Sequence, residues 1–356
     1  MKLLVTTYVT PAYQATLERM FDTVRYEGMM KIGRVLTEDE FIEAISGMDA
    51  VVVEFDPLTR RVLEATDNLK VIASVRGGAH ANVDVAAATE RGLPILFCPG
   101  RNGDTVADFT LGLMIAVSRG LALGHHLIKN RVITDEKTHD QNGFSQVDVN
   151  WVGQTPEKFA YLQFKGPTLA GKRLGLIGFG AIGREVAKRA LAFDMDVIAY
   201  DPFVSQDNVT QAVTMSSLDG VLSTSDFVSV HIPVNAGTRG LITAEKLRLM
   251  RPDAYLINTA RAAVLDYDAL VEMLREKKLA GAALDVYPIE PLPDNHPLLD
   301  LDNVVLTPHI GGCSLDPYER SYRMLTEDLR RFFAGERPER VYNPDVYAGE
   351  KEFQKV

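Results

Sequence analysis

Cysteine is almost absent from this chain: Cys98 and Cys313 are its whole complement in 356 residues. Two cannot build a disulfide framework, and the scarcity fits a reducing compartment. No apolar run approaches the ~18 residues that a bilayer-spanning helix needs. The opening Met1-Lys2-Leu3-Leu4-Val5-Thr6-Thr7 is too short in its apolar part for a secretory signal and reads as a first strand. Positive charge is in deficit, with 38 Lys and Arg against 48 Asp and Glu and a net charge of -10. That balance argues against nucleic acid as a partner, because phosphate-backbone binding draws on cations that release counterions. Small anions are not excluded, since they respond to local fields. A cytoplasmic protein that engages neither nucleic acid nor membrane is expected. The 46% hydrophobic and 24% charged content is that of an ordinary globular chain, and the length suggests about two domains.

What is present is glycine in a telling arrangement. Arg173 to Gly183 reads Arg-Leu-Gly-Leu-Ile-Gly-Phe-Gly-Ala-Ile-Gly. An apolar strand runs into Gly178, Gly180 and Gly183, a helical stretch follows, and a second strand ends on Asp201. A lone G-x-G-x-x-G says little, but one framed by strand, helix, strand and a terminal acid is specific. Gly178 permits the tight turn, Gly180 lets backbone approach a pyrophosphate, and Gly183 lets helix pack on strand. The helix starting at Ala181 and Ile182 offers free N–H groups and a positive dipole end to phosphates. Asp201, about 20 residues past the loop, can accept hydrogen bonds from ribose hydroxyls and would repel a 2′-phosphate. NAD is therefore the expected cofactor.

The remaining chain alternates strand and helix. Strands are expected at 2–7, 23–26, 50–54, 70–75 and 94–97, with helices near 11–20, 38–46, 59–66 and 83–91. After a long helical pattern over 104–129, periodicity is lost from Arg131 to Gly166, a stretch holding the single tryptophan, Trp151. Connections this long are functional or mobile. Strands then resume at 173–177, 196–200, 227–231, 254–257, 280–285 and 304–307. A final helical pattern over 316–333 carries Tyr318, Tyr322, Leu325, Leu329 and Phe332 at helical spacing, as if to pack on the first domain. Such βα alternation implies parallel sheets covered on both faces.

Three segments carry reactive side chains at strand ends: Asn258-Thr259-Ala260-Arg261, Asp285 through Glu290, and Thr307-Pro308-His309-Ile310-Gly311. Ligands in open parallel sheets sit beyond the carboxyl ends of strands. With the glycine loop, these segments make the chain resemble the D-isomer-specific 2-hydroxyacid dehydrogenases over nearly its whole length. The resemblance implies an α/β fold of two domains, a Rossmann-type dinucleotide domain over 104–312 inserted in a flavodoxin-like substrate domain of 1–103 plus 313–356. It implies an NAD-dependent enzyme interconverting a D-2-hydroxy acid and its 2-keto acid, a small-molecule substrate and a homodimer.

Residue by residue, the resemblance makes His309 the acid/base, Glu290 the carboxylate orienting it, and Arg261 the substrate-binding arginine. Asp285 corresponds to an acid near the nicotinamide; His231, in Val230-His231-Ile232-Pro233, reads either as shaping the adenine side or as purely structural. Pro233, Thr238, Thr259 and Gly311 join the cofactor-binding set. Within Arg76-Gly77-Gly78-Ala79-His80, Gly78 and Ala79 align with backbone groups that hold the substrate carboxylate. No metal is implied.

The chemistry independently wants these residue types. Reducing a keto acid requires a proton on the carbonyl oxygen, and imidazole exchanges protons near neutral pH. A carboxylate fixes its tautomer. Guanidinium grips a carboxylate bidentately, which Lys cannot. Glu290 separates this chain from the related formate dehydrogenases, which have glutamine there and need no proton acceptor. A formate-type enzyme and a corepressor-like NAD sensor stand as alternatives. Departures from the family pattern are Ala262 for the usual glycine, Asp108 for glutamate, and Cys313, read as a small packing residue. The residues after Val341 are too few for the regulatory domain attached to some phosphoglycerate dehydrogenases.

Overall fold

The computed structural model describes residues 1–133 and 160–348; Trp151 and most of the 131–166 connection lie outside the described residues. The chain divides into two units, Met1–Asn102 with Ser314–Val356, and Gly103–Cys313.

The first unit holds β1 (Lys2–Val5), β2 (Thr23–Tyr26), β3 (Ala50–Val53), β4 (Val71–Ser74) and β5 (Ile95–Leu96) in the order β2-β1-β3-β4-β5, all parallel. That is the flavodoxin-like order. β3, Ala-Val-Val-Val, is buried along its whole length, as a strand covered on both faces must be. One face packs Phe41, Ile45 and Leu63. The other packs Leu17 with Tyr322, Leu325 and Leu329 of the helix Asp316–Phe333, so the final helix belongs to the first unit. Each such buried apolar side chain contributes roughly 1.5–3 kcal/mol. The helix Glu38–Ile45 starts on a reciprocal cap between Thr37 and Glu40.

The second unit holds β6 (Arg173–Ile177), β7 (Asp196–Tyr200), β8 (Val213–Met215), β9 (Phe227–Val230), β10 (Tyr255–Asn258), β11 (Gly281–Leu284) and β12 (Val304–Leu306). Their order is β12-β11-β10-β9-β6-β7-β8, all parallel. Strand order reverses between β6 and β9, the switch point where doubly wound sheets bind ligands. Register aligns Tyr200, Ile177, Val230, Asn258, Leu284 and Leu306 in one row. The residues just past that row are therefore Asp201, Gly178, His231, Thr259, Asp285 and Thr307, all on the carboxyl edge.

Three expectations change. The 104–129 pattern is two helices, Gly103–Ser118 and Leu121–Lys129, bent by 66°. Gly120 sits between them at φ 59, where its hydrogen faces the Phe164 ring and a Cβ would lie 2.7 Å from it; apolar periodicity continues through a break that only glycine's backbone freedom reveals. β8 is an edge strand of three residues, too short to register as a pattern. Cys313 is exposed rather than packed, whereas Cys98 is buried, and both are free. Among the described residues no single helix is long and apolar enough to cross a membrane.

Candidate active site

The glycine loop leaves β6 and enters the helix Ala181–Ala192. Gly178 has φ 99, and a Cβ there would stand 2.6 Å from the His231 carbonyl oxygen. Gly183 faces the Gly178 carbonyl, where a Cβ would intrude to 2.3 Å. Around Gly180 nothing lies within 4 Å of an added Cβ. Two glycines thus serve internal packing, and the middle one leaves open space above bare backbone. Ala181 is exposed and Ile182 half-buried at the helix start.

Asp201 closes over this loop. Its Oδ2 accepts from the Phe179 N–H and its Oδ1 from the Phe203 N–H, both at 2.9 Å. Each oxygen keeps a further lone pair, so the carboxylate can brace the loop and still accept from a ribose diol. At the end of β9, His231 Nε2 lies 2.9 Å from Ser229 Oγ, while its buried Nδ1 has no partner among the described residues. Burial pushes this imidazole down to about 3, which keeps it neutral and removes it from proton chemistry at working pH. Thr238 Oγ1 donates to the Pro233 carbonyl at 2.5 Å and accepts from the Asn235 N–H at 2.9 Å; this pair shapes a turn. Thr259 is buried, its hydroxyl 3.3 Å from that of Thr110.

Past β10 the chain presents Arg261, exposed, with Nη1 donating to its neighbour Ala260 O at 2.6 Å. Asn258, fully buried, fixes the turn: Nδ2 donates to Arg261 O and Oδ1 accepts from Ala260 N–H, each at 3.0 Å. Sequence reasoning passed over Asn258; the available signal was one amide ending an apolar strand. Ala262 opens a short 3-10 turn, Ala262–Val264, outside the left-handed region, so alanine fits where the family prefers glycine.

The other two segments meet. His309 Nδ1 lies 2.7 Å from Glu290 Oε2, and Glu290 Oε1 accepts from the Tyr287 N–H at 2.9 Å. Burial alone would raise the Glu290 carboxyl. The His309 and Tyr287 hydrogen bonds and the positive charge of Arg261 outweigh it and hold that carboxyl below its usual range. Arg261, Glu290 and His309 thus share one electrostatic neighbourhood, and all three side chains are solvent-accessible. Asp285, only 1% exposed, accepts from Thr307 Oγ1 at 2.6 Å, Ile310 N–H at 2.9 Å and Gly311 N–H at 2.8 Å. Its carboxylate is thereby committed to the loop that carries His309. His309 itself has φ 56, a left-handed conformation that costs a non-glycine residue about 1 kcal/mol and persists only when its surroundings enforce it.

In the first unit, Gly77 and Gly78 follow β4, and Ala79 is buried at the start of the 3-10 turn Ala79–Ala81. His80 stands over Gly78, with Nδ1 2.5 Å from the Tyr342 hydroxyl and the two rings stacked at 5.9 Å. Arg76 lies over the Phe55 ring at 5.5 Å.

The sequence and the fold have counterparts among known proteins. A model of the D-isomer specific 2-hydroxyacid dehydrogenase NAD binding domain matches residues 111–311. A glyoxylate reductase of Thermofilum pendens is 37% identical over 313 residues, covering 87% of this chain and 86% of that protein. A hydroxypyruvate reductase of Thermotoga maritima is 38% identical over 297 residues, covering 83% and 88%. The crystal structure of a glyoxylate reductase from Paecilomyes thermophila superposes with a TM-score of 0.76 at 26% identity, covering 96% of this chain and 97% of that one. The chain belongs to the D-isomer-specific 2-hydroxyacid dehydrogenase family. It is an oxidoreductase with a Rossmann dinucleotide domain, and its cofactor is a nicotinamide dinucleotide.

A guanidinium beside the Glu290–His309 pair gives a direct expectation. Arg261→Lys keeps the charge and loses the planar fork. KM for the keto acid should rise and kcat fall, by roughly 10-fold or more in kcat/KM. Steady-state kinetics at fixed pH measures both, and an unchanged KM would remove Arg261 from substrate binding.

Proposed function

We propose that the chain is an NAD-preferring dehydrogenase of small D-2-hydroxy acids in which His309 is the acid/base, Glu290 its orienting carboxylate and Arg261 the substrate grip. The observation that carries this reading is the 2.7 Å contact between His309 and Glu290, with Arg261 beside it on the edge that also bears the glycine loop and Asp201. Open Gly180, the free helix start at Ala181 and the bracing carboxylate of Asp201 fit a dinucleotide. When bound, it supplies the hydride.

The chain's own groups do the rest. Arg261 binds the substrate carboxylate through two parallel N–H donors and polarises the adjacent carbonyl. With Nδ1–H given to Glu290, His309 has Nε2 free to deliver a proton to the carbonyl oxygen during reduction and to recover it during oxidation. Glu290 fixes the tautomer and stabilises the imidazolium. Gly78 and Ala79 are the proposed backbone donors to the substrate carboxylate. The unit Gly103–Cys313 is the proposed cofactor domain and the remainder the substrate domain. A homodimer completes the reading, supported by Leu121 and Ile128, which are 55% and 56% exposed on one short helix. Among rival readings, Glu290 disfavours a formate-type enzyme.

A turnover screen of glyoxylate, hydroxypyruvate and larger 2-keto acids, with NADH and with NADPH, tests the proposal. At least one keto acid should be reduced, with NADH preferred. Asp201→Ala should narrow the NADH-to-NADPH ratio by about 10-fold or more, since a charge-assisted hydrogen bond and a repulsive carboxylate are both removed. Reduction of no keto acid, or wild-type preference for NADPH, would overturn it.

A further inference from the structure

Tyr287 sits in the loop that carries Glu290 and reaches the loop that carries His309. It is 8% exposed, two residues past Asp285 and three before Glu290. Its N–H donates to Glu290 Oε1 at 2.9 Å. Its hydroxyl reaches the Leu284 carbonyl at 2.9 Å and the Thr307 carbonyl at 3.0 Å, so one proton is shared between the ends of β11 and β12. The Thr307 carbonyl also accepts from the His309 N–H at 3.0 Å. That carbonyl closes the turn, through Pro308, that leaves His309 in the left-handed region. On the far side the turn is anchored by Asp285 through Thr307 Oγ1, Ile310 N–H and Gly311 N–H.

We propose that Tyr287 is a positioning residue for the Glu290–His309 pair: its backbone N–H holds the carboxylate, and its hydroxyl holds the carbonyl of the turn that presents the imidazole. The two members of the pair come from loops after different strands, and the Asp285 carboxylate bonds the turn that carries His309. Tyr287 ties both to one residue, the carboxylate through its N–H and the His309 turn through its hydroxyl. Burial pushes the hydroxyl up to about 12, so it remains a donor throughout the working range. The hydroxyl is not needed to satisfy either carbonyl. Leu284 O also accepts from Thr307 N–H at 3.0 Å, and Thr307 O keeps the His309 N–H. Removing it therefore strands no buried polar group, and its effect falls on alignment.

The inference rests on the proposed roles of His309 and Glu290, and Tyr287→Phe in the full chain tests it with two readouts. The first needs no turnover: the Nδ1 proton of His309, assigned by its loss in His309→Gln, is followed by NMR for exchange with water. In Tyr287→Phe it should exchange roughly 10-fold faster, as loss of one supporting hydrogen bond allows. The second is kinetic: kcat should fall roughly 10-fold while the Kd for NADH stays at its wild-type value. Tyr267→Phe is the control, because that buried hydroxyl donates to Val286 O at 3.0 Å on the same loop and touches neither member of the pair. Wild-type exchange in Tyr287→Phe overturns the proposal. So do equal effects in Tyr267→Phe, or a thermal midpoint loss in Tyr287→Phe well beyond that of Tyr267→Phe, since each marks a merely structural tyrosine. Faster proton exchange in an enzyme that turns over no keto acid would instead sink the reaction and leave the positioning role standing.

Discussion

Replacing His309 by alanine is expected to lower kcat for keto-acid reduction by about 10²–10⁴-fold, the usual contribution of a positioned acid/base, while the Kd for NADH changes little. The separation follows from placement. His309 is exposed, its contacts run to Glu290 and to its own turn, and it contributes nothing to the glycine loop or to the core. Alanine at this position also keeps a positive φ, which Asp285 enforces through the neighbouring N–H groups, so part of the local strain survives the substitution. Steady-state kinetics with fluorescence titration of NADH decides the matter. Near-normal turnover would remove His309 from the mechanism.

Gly183→Ala should have the opposite profile, a large loss of cofactor binding with the proton-transfer pair intact. The added methyl would meet the Gly178 carbonyl oxygen at 2.3 Å, and because that atom is backbone no flexible side chain can yield. The helix Ala181–Ala192 must then shift away from β6, which moves its N-terminus relative to the bare backbone at Gly180. Overpacking of this kind costs about 1–3 kcal/mol of stability, and NADH affinity should fall by roughly 10-fold or more because helix-start donors act over short range. Gly180→Ala is the comparison: no atom lies within 4 Å of its added Cβ, so the fold should tolerate it. Thermal unfolding and NADH titration of both variants give the test. Equal stability of Gly183→Ala and wild type would contradict the packing role.

Much of this was legible in the sequence because the physics there is local. β6, β7 and the helices Pro11–Met20 and Asp316–Phe333 emerge from periodicity alone; Gly178 and Gly183 each answer a steric demand that no other residue meets, and Gly180 keeps the backbone between them bare. What stayed hidden depends on contacts distant in sequence. The commitment of Asp285 to Thr307, Ile310 and Gly311 spans more than twenty positions and looks, in sequence, like any acid at a strand end. Asn258 and Tyr287 are similar: each acts through bonds to backbone, and backbone carries no sequence signature. The kink at Gly120 was masked by apolar residues that continue in phase on either side of it.

The first unit is assembled from remote ends of the chain. β5 pairs with Val341 in an antiparallel bridge, Asn343 fills the Ile95 N–H and the Leu93 carbonyl, and Tyr322, Leu325 and Leu329 cover one face of its sheet. On the ribosome, the whole Gly103–Cys313 segment emerges before those late contributors do. The early five-stranded sheet must wait with Val5, Val52, Ala73 and Cys98 uncovered on that face. Loop closure over more than two hundred residues is slow relative to local folding, and exposed parallel strands are prone to association in the interval. The order of birth is thus inverted with respect to the order of completion: the segment made second is finished first, and the segment made first is finished last.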